Sequence, residues 1–96
     1  MRIVLSDKAD SDLLRIYRYL SERAPAAAET FIQRIDANFK NLARFPFIGR
    51  ERSSLAAGLR CLVVGLHLVF YIVEPERITI VRVIDGRMDV EEEFHR

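Results

Sequence analysis

The chain has 96 residues, 50% of them hydrophobic and 30% charged, with a formal net charge of +1. Such a length accommodates one hydrophobic core and not two, so the expected organisation is a single domain over 1–96, with any site built on the core's own surface. The balance of charge excludes a strong global basic field, and with it avid non-specific nucleic-acid binding, while the hydrophobic content excludes a disordered chain.

The longest apolar run, 68–73, is far below the roughly 18 residues of a membrane span. A polar segment at 6–12 follows the opening apolar run directly, which leaves no secretory h-region or transit peptide. No membrane association is expected, and the expected location is cytoplasmic.

In chain order, residues 2–5 read as a short strand, and Ser6 as the N-cap of a helix whose first turn carries Asp7 and Asp10, where negative charge suits the helix dipole. This first helix is predicted over 7–23, with Ala9, Leu13, Ile16, Tyr17 and Leu20 on one face. Ala24 and Pro25 interrupt the pattern, and Pro25 fits the first turn of a second helix. There Ala28, Phe31, Ile32, Ile35, Phe39 and Leu42 form a second stripe, so the two helices are predicted to make an antiparallel hairpin. The helix ends at 45–49, because the residue before Pro46 is pushed out of helical geometry. Phe45, Pro46 and Phe47 are expected to be a packed helix exit. Residues 50–57 are polar, with a single helical turn as the expectation.

Three apolar runs follow, 59–64, 67–74 and 77–85, separated by Gly65 and Leu66, then by Pro75 and Glu76, and closed by Gly86. They read as an antiparallel meander. The middle run is nearly continuous in apolar residues, as befits a central strand covered on much of both faces. In the third, Ile78, Ile80 and Ile84 are expected on one side together with Arg82, an arginine placed for pairing or for an interface. Cys61 has no cysteine partner and reads as a buried structural thiol. The Glu91, Glu92 and Glu93 run is expected to be a solvated face of a short tail.

The fold class is therefore α+β: an N-terminal strand and an antiparallel two-helix hairpin packed on an antiparallel sheet of about four strands. One sheet face is expected to stay exposed, carrying apolar and arginine side chains that mark an interaction site. From Arg50 onward every cation is an arginine, whose planar fork suits carboxylate and phosphate groups.

Several strings in this order resemble the ParE/RelE toxins of bacterial toxin-antitoxin pairs, and ParE more closely than RelE. They are the Ala9, Asp12, Leu13, Ile16 and Tyr17 stripe; Pro46, Ile48, Gly49 and Arg50; Gly58, Leu59 and Arg60; Gly65, His67, Phe70 and Tyr71; and Val81 through Ile84, followed by Gly86, Arg87, Met88 and Asp89. One departure is Asp85, where ParE-like toxins often carry histidine. The resemblance implies a toxin that blocks DNA gyrase and is neutralised by a ParD-like antitoxin, with RelE-like cleavage of ribosome-bound mRNA as the alternative.

Cleaving RNA through its 2′-OH needs a proton acceptor, a proton donor for the leaving oxygen, and cations for the phosphorane charge. The only lysines, Lys8 and Lys40, lie in the helices, and Phe94 stands near where RelE-like nucleases are similar in placing a C-terminal tyrosine. His67 and Arg87 are what the nuclease alternative has to work with, so no catalytic residue is assigned and a non-catalytic binder is the expectation. Candidate residues for contact with a target or antitoxin are Arg60, His67, Arg82, Arg87, Met88 and Asp89. The competing readings are cross-strand pairing of Arg60 and Arg82 with Glu74 or Glu76, a satisfied strand-end role for His67, and pairing of Arg87 with Asp85 or Asp89. Two separated histidines and one cysteine lack zinc-type spacing, so no metal or cofactor is expected. Nor is sequence-specific DNA binding by this chain.

Overall fold

The computed structural model describes residues 1–95. Its elements are β1 (Arg2–Leu5), α1 (Asp7–Arg23), α2 (Pro25–Arg44), β2 (Arg50–Glu51), β3 (Leu59–Val64), β4 (His67–Val73), β5 (Arg77–Asp85) and α3 (Val90–Phe94). Ser6 starts α1 and fastens it to the sheet at once. Its Oγ accepts the Ala9 N–H at 3.0 Å and donates to the Val81 carbonyl at 2.8 Å, while its own N–H donates to the Ile80 carbonyl at 2.9 Å. A serine cap is thereby also a strand clamp. Between the helices stands Ala24 alone, in a non-helical conformation, with Pro25 opening α2 where a missing N–H costs nothing.

The sheet has five strands in the order β1-β5-β4-β3-β2. Both expected hairpins form, with β4 antiparallel to β3 on one side and to β5 on the other, and β1 adds to β5 in parallel, setting Ile3 opposite Ile78. The expectation of about four antiparallel strands missed two things: the parallel edge, and β2, whose Arg50 and Glu51 pair with Cys61 and Arg60 where a helical turn was anticipated. Extended backbone after Gly49 runs straight along the open edge of β3, and the hydrogen bonds available there outweigh the weak helical preference of a polar stretch.

A bulge in β5 changes which residues share a face. Phe70 pairs with Arg82 but its neighbour Tyr71 pairs with Ile80, so Val81 is an extra residue on β5. Ile78, Ile80 and Val83 consequently pack toward the helices, with Phe31, Ile35, Leu42, Val69 and Tyr71, while Ile84 packs on the opposite face. The expected alignment of Ile78, Ile80, Ile84 and Arg82 fails for this reason, since one inserted residue reverses the alternation beyond it.

That opposite face is not bare, contrary to expectation. Leu59, Cys61, Phe70 and Ile84 form a second core with Leu55 from the 52–58 turns, and α3 lies over it, placing Val90 and Phe94 in contact. Phe94 meets Phe70 edge-on with ring centroids 4.8 Å apart. The glutamate run thus belongs to a docked helix, capped by Asp89, whose carboxylate accepts the Glu92 N–H at 3.2 Å. Burial of Cys61 in this layer pushes its thiol up against the opposing pull of Arg52 and Arg50.

Three further expectations are corrected at the surface. Tyr17 and Ile32 stay partly exposed, at 36% and 42%, and line a shallow groove between the outer sides of the helices with Leu14. Both sit at the margin of their stripes, beyond the reach of the sheet. Phe45 and Phe47 are also exposed, although the backbone that carries them is pinned: Tyr71 Oη donates to the Pro46 carbonyl and accepts the Gly49 N–H, each at 2.8 Å.

Candidate functional site

At the open end of the sheet, β4 begins and β5 finishes side by side, so His67 stands opposite Asp85. Gly65, at φ +60, makes the tight turn before His67, and the Gly86 N–H donates to the Leu66 carbonyl at 2.9 Å, tying the two loops together. Arg87 then turns back on Asp85. Its N–H and Nε reach Oδ1 at 2.8 and 3.0 Å, and Nη2 reaches Oδ2 at 2.8 Å.

These contacts set the charge states. Hydrogen bonds from the Arg87 side chain, joined by its backbone N–H, hold the Asp85 carboxyl well below the usual carboxylate range. His67 has its ring 4.9 Å from that of Phe31 on α2. Burial pushes it below the ordinary imidazole value; the Asp85 charge pulls it back up, and Arg87 adds to the depression. At neutral pH the cluster is a neutral imidazole beside a carboxylate locked to a guanidinium.

Two grooves meet at His67. One, of about 380 Å³, runs between α2 and the β3–β4 turn and is lined by Ala27, Phe31, Arg34, Val64 and Leu66 among others. The second, of about 220 Å³, lies between α1 and the ends of the strands and is lined by Arg15, Ile16, Tyr19, Asp85 and Met88. Sequence reasoning missed the helical contributors. Tyr19 was the legible one, because an aromatic placed off the apolar stripe has no packing reason to be there; Arg23 lies over its ring at 3.9 Å.

Of the six candidate contact residues, His67, Arg87 and Met88 come together here. The other three are elsewhere. Arg60 donates to the carbonyls of Phe47 and Gly49, not to Glu74 or Glu76. Arg82 is engaged by Asp12 of α1, with Nε to Oδ2 at 2.8 Å, and lies 3.8 Å from a Glu93 carboxylate oxygen. Asp89 caps α3. Buried Asp12 is a residue that sequence reading left in an apolar stripe. Burial would push its carboxyl up, but hydrogen bonds from Arg82, Val83 and Arg15 and the Arg82 charge outweigh that and hold it below the ordinary value.

Among the described residues, no three His, Cys, Asp or Glu side chains gather where a metal could be held, and no helix is long and apolar enough to cross a membrane.

The family described as the ParE toxin of the type II toxin-antitoxin system parDE matches residues 3–90. The chain belongs to the ParE toxin family. Toxin ParE3 of Caulobacter vibrioides is 34% identical over 90 residues, covering 93% of this chain and 90% of that one. Toxin ParE1 of the same organism is 33% identical over 86 residues, covering 88% of each. A solved structure described as the chromosomal ParDE TA system from P. aeruginosa superposes with a TM-score of 0.74 at 26% identity, covering 88% of this chain and 95% of that one. The ParE match spans α1, α2, β2 to β5, most of β1 and the His67–Arg87 corner, and reaches only the first residue of α3.

Proposed function

We propose that this ParE-family toxin acts by binding a protein target, DNA gyrase by family resemblance, and that a ParD-like antitoxin keeps it inactive. The observation that carries the reading is the state of the groove at the strand ends. Cleaving RNA needs a proton acceptor together with a separate proton donor, whereas this corner sets one imidazole, His67 against Phe31, beside an Asp85 carboxylate already engaged by Arg87. A lone base without a placed acid is better suited to recognition than to cleavage. The apolar grooves on either side of His67 suit an amphipathic helix or extended segment, which supports an antitoxin that covers this corner.

The test uses purified protein freed of its antitoxin in a gyrase supercoiling assay. Inhibition by the native chain, reduced tenfold or more in Arg87→Ala and Met88→Ala, is the expected result. Untouched supercoiling at high excess overturns the target assignment. Codon-positioned cuts in ribosome-bound mRNA, abolished by Arg87→Ala and His67→Ala, would transfer the reading to a RelE-like nuclease.

A further inference from the structure

Phe45, Phe47 and Ile48 are 50%, 65% and 44% exposed on a single short loop. Scattered exposed apolar residues need no explanation, but a contiguous group with two phenylalanines does. This loop cannot fold its rings away. Beneath it the fully buried Tyr71 holds the Pro46 carbonyl and the Gly49 N–H, and Arg60 Nη1 holds the carbonyls of Phe47 at 3.3 Å and Gly49 at 2.8 Å. Aromatic side chains on a backbone already fixed lose little conformational freedom when a partner covers them, which is the condition for a strong anchor.

The rim of the patch is cationic. The Arg44 guanidinium lies 5.4 Å from the Phe45 ring centroid and that of Arg60 lies 5.0 Å from the Phe47 centroid, with exposed Arg50 following. From residue 41 to residue 50 the chain carries no acidic side chain. An apolar centre edged by arginines complements a protein segment that carries carboxylates between apolar side chains. A nucleic acid is the poorer fit: the centre of the patch is apolar, and a net charge of +1 provides no extended phosphate track. The patch is also separate from the His67 corner, since Phe31 beside His67 and Phe45 at the C-cap of α2 lie roughly 21 Å apart by helical rise.

We propose that the loop at residues 45–50 is a second docking surface, on which an acidic segment of a partner protein lays apolar side chains on Phe45, Phe47 and Ile48 and carboxylates beside Arg44, Arg50 and Arg60. It stands whether or not gyrase is the target. The test is an amide chemical-shift titration of the full chain with a capped ten-residue peptide of alternating glutamate and leucine. The same titration is run with its lysine counterpart and with a ten-nucleotide oligothymidine.

Shifts concentrated at residues 44–50 and 60 are expected with the acidic peptide, with affinity falling on the order of tenfold in Phe47→Ala and in Arg44→Glu. Both side chains are exposed, so an unchanged remainder of the spectrum checks that each variant is folded. No shift at the loop, shifts only around His67 and Arg87, or equal binding of the lysine peptide overturns the proposal. So does tighter binding of the oligothymidine to the loop, which makes it a nucleic-acid surface. Self-association with rising concentration that Phe47→Ala abolishes makes a second copy the occupant, and overturns it as well.

Discussion

Arg82 closes on Asp12 with two nitrogens, Nε at 2.8 Å from Oδ2 and Nη2 at 3.1 Å from Oδ1. The carboxylate also accepts the Val83 N–H at 2.9 Å, which satisfies the edge of β5 beyond the point where β1 ends. One buried carboxylate thus joins the first helix to the central hairpin.

Removing that carboxylate strands a mostly buried guanidinium and a backbone N–H. Asp12→Ala is expected to cost about 3–5 kcal/mol in urea unfolding, the range for breaking a buried ion pair from one side. Asp12 is held below its ordinary pKa in the folded state, so its contribution is complete above an unfolded value near 3.9 and is lost as pH falls through the lower folded value. Stability measured across the acid range will decline below about pH 4, and the decline will be shallower in Asp12→Asn.

Gly49 has no room for a side chain. A Cβ there would lie 2.4 Å from Tyr71 Oη and 2.6 Å from Cε1, and the ring is buried on all sides. Gly49→Ala is expected to lower stability by about 1–3 kcal/mol through overpacking. Tyr71→Phe will cost a similar about 1–3 kcal/mol by leaving the Gly49 N–H and Pro46 carbonyl without their partner. Because both changes disturb one contact, the double variant measured by denaturant unfolding should fall short of the sum.

His67 should titrate below the ordinary imidazole midpoint in an NMR pH series. Asp85→Asn should move that midpoint further down, since the carboxylate is the group that raises it while burial and Arg87 lower it. The sign for stability follows: a histidine with a depressed folded pKa supports the fold above an unfolded value near 6.5 and withdraws that support below it. An upward shift in Asp85→Asn would show that the carboxylate is not the group that raises the imidazole midpoint.

Phe94 ties α3 to the sheet through its edge-on contact with Phe70. Phe94→Ala is expected to cost about 2 kcal/mol. Amide exchange should speed up across 90–94, while the amides of β4 keep their protection.

The hairpins, both helices and their junction were legible because each rests on a local rule: Ser6 as cap, Pro25 at a helix start, Gly65 and Gly86 at turns. What escaped was non-local. The extra residue at Val81 is invisible in β5's own pattern, since only the pairing of Phe70 and Tyr71 with Arg82 and Ile80 reveals it. β2 exists because β3 has a free edge. Helix α3 reads as a charged tail until Phe94 is seen against Phe70, and Asp12 as one member of a helix stripe until Arg82 arrives from the far end of the chain. At the site, His67, Arg87 and Met88 were legible from their place beside glycine turns. Their helical neighbours Tyr19 and Phe31 come from elements whose relative placement no local pattern specifies.

Ser6 bonds Val81 and Asp12 bonds Val83, sequence separations of 75 and 71 residues. While a ribosome is making the protein, the first helix can lie against the second, but the opening strand has no strand to pair with, and Ser6 and Asp12 have no partners in β5, until β5 has emerged. The corner that holds His67 and Arg87 therefore takes shape only after β4, β5 and the turn beyond them have been synthesised, so the two long helices wait beside an end of the sheet that is not yet built.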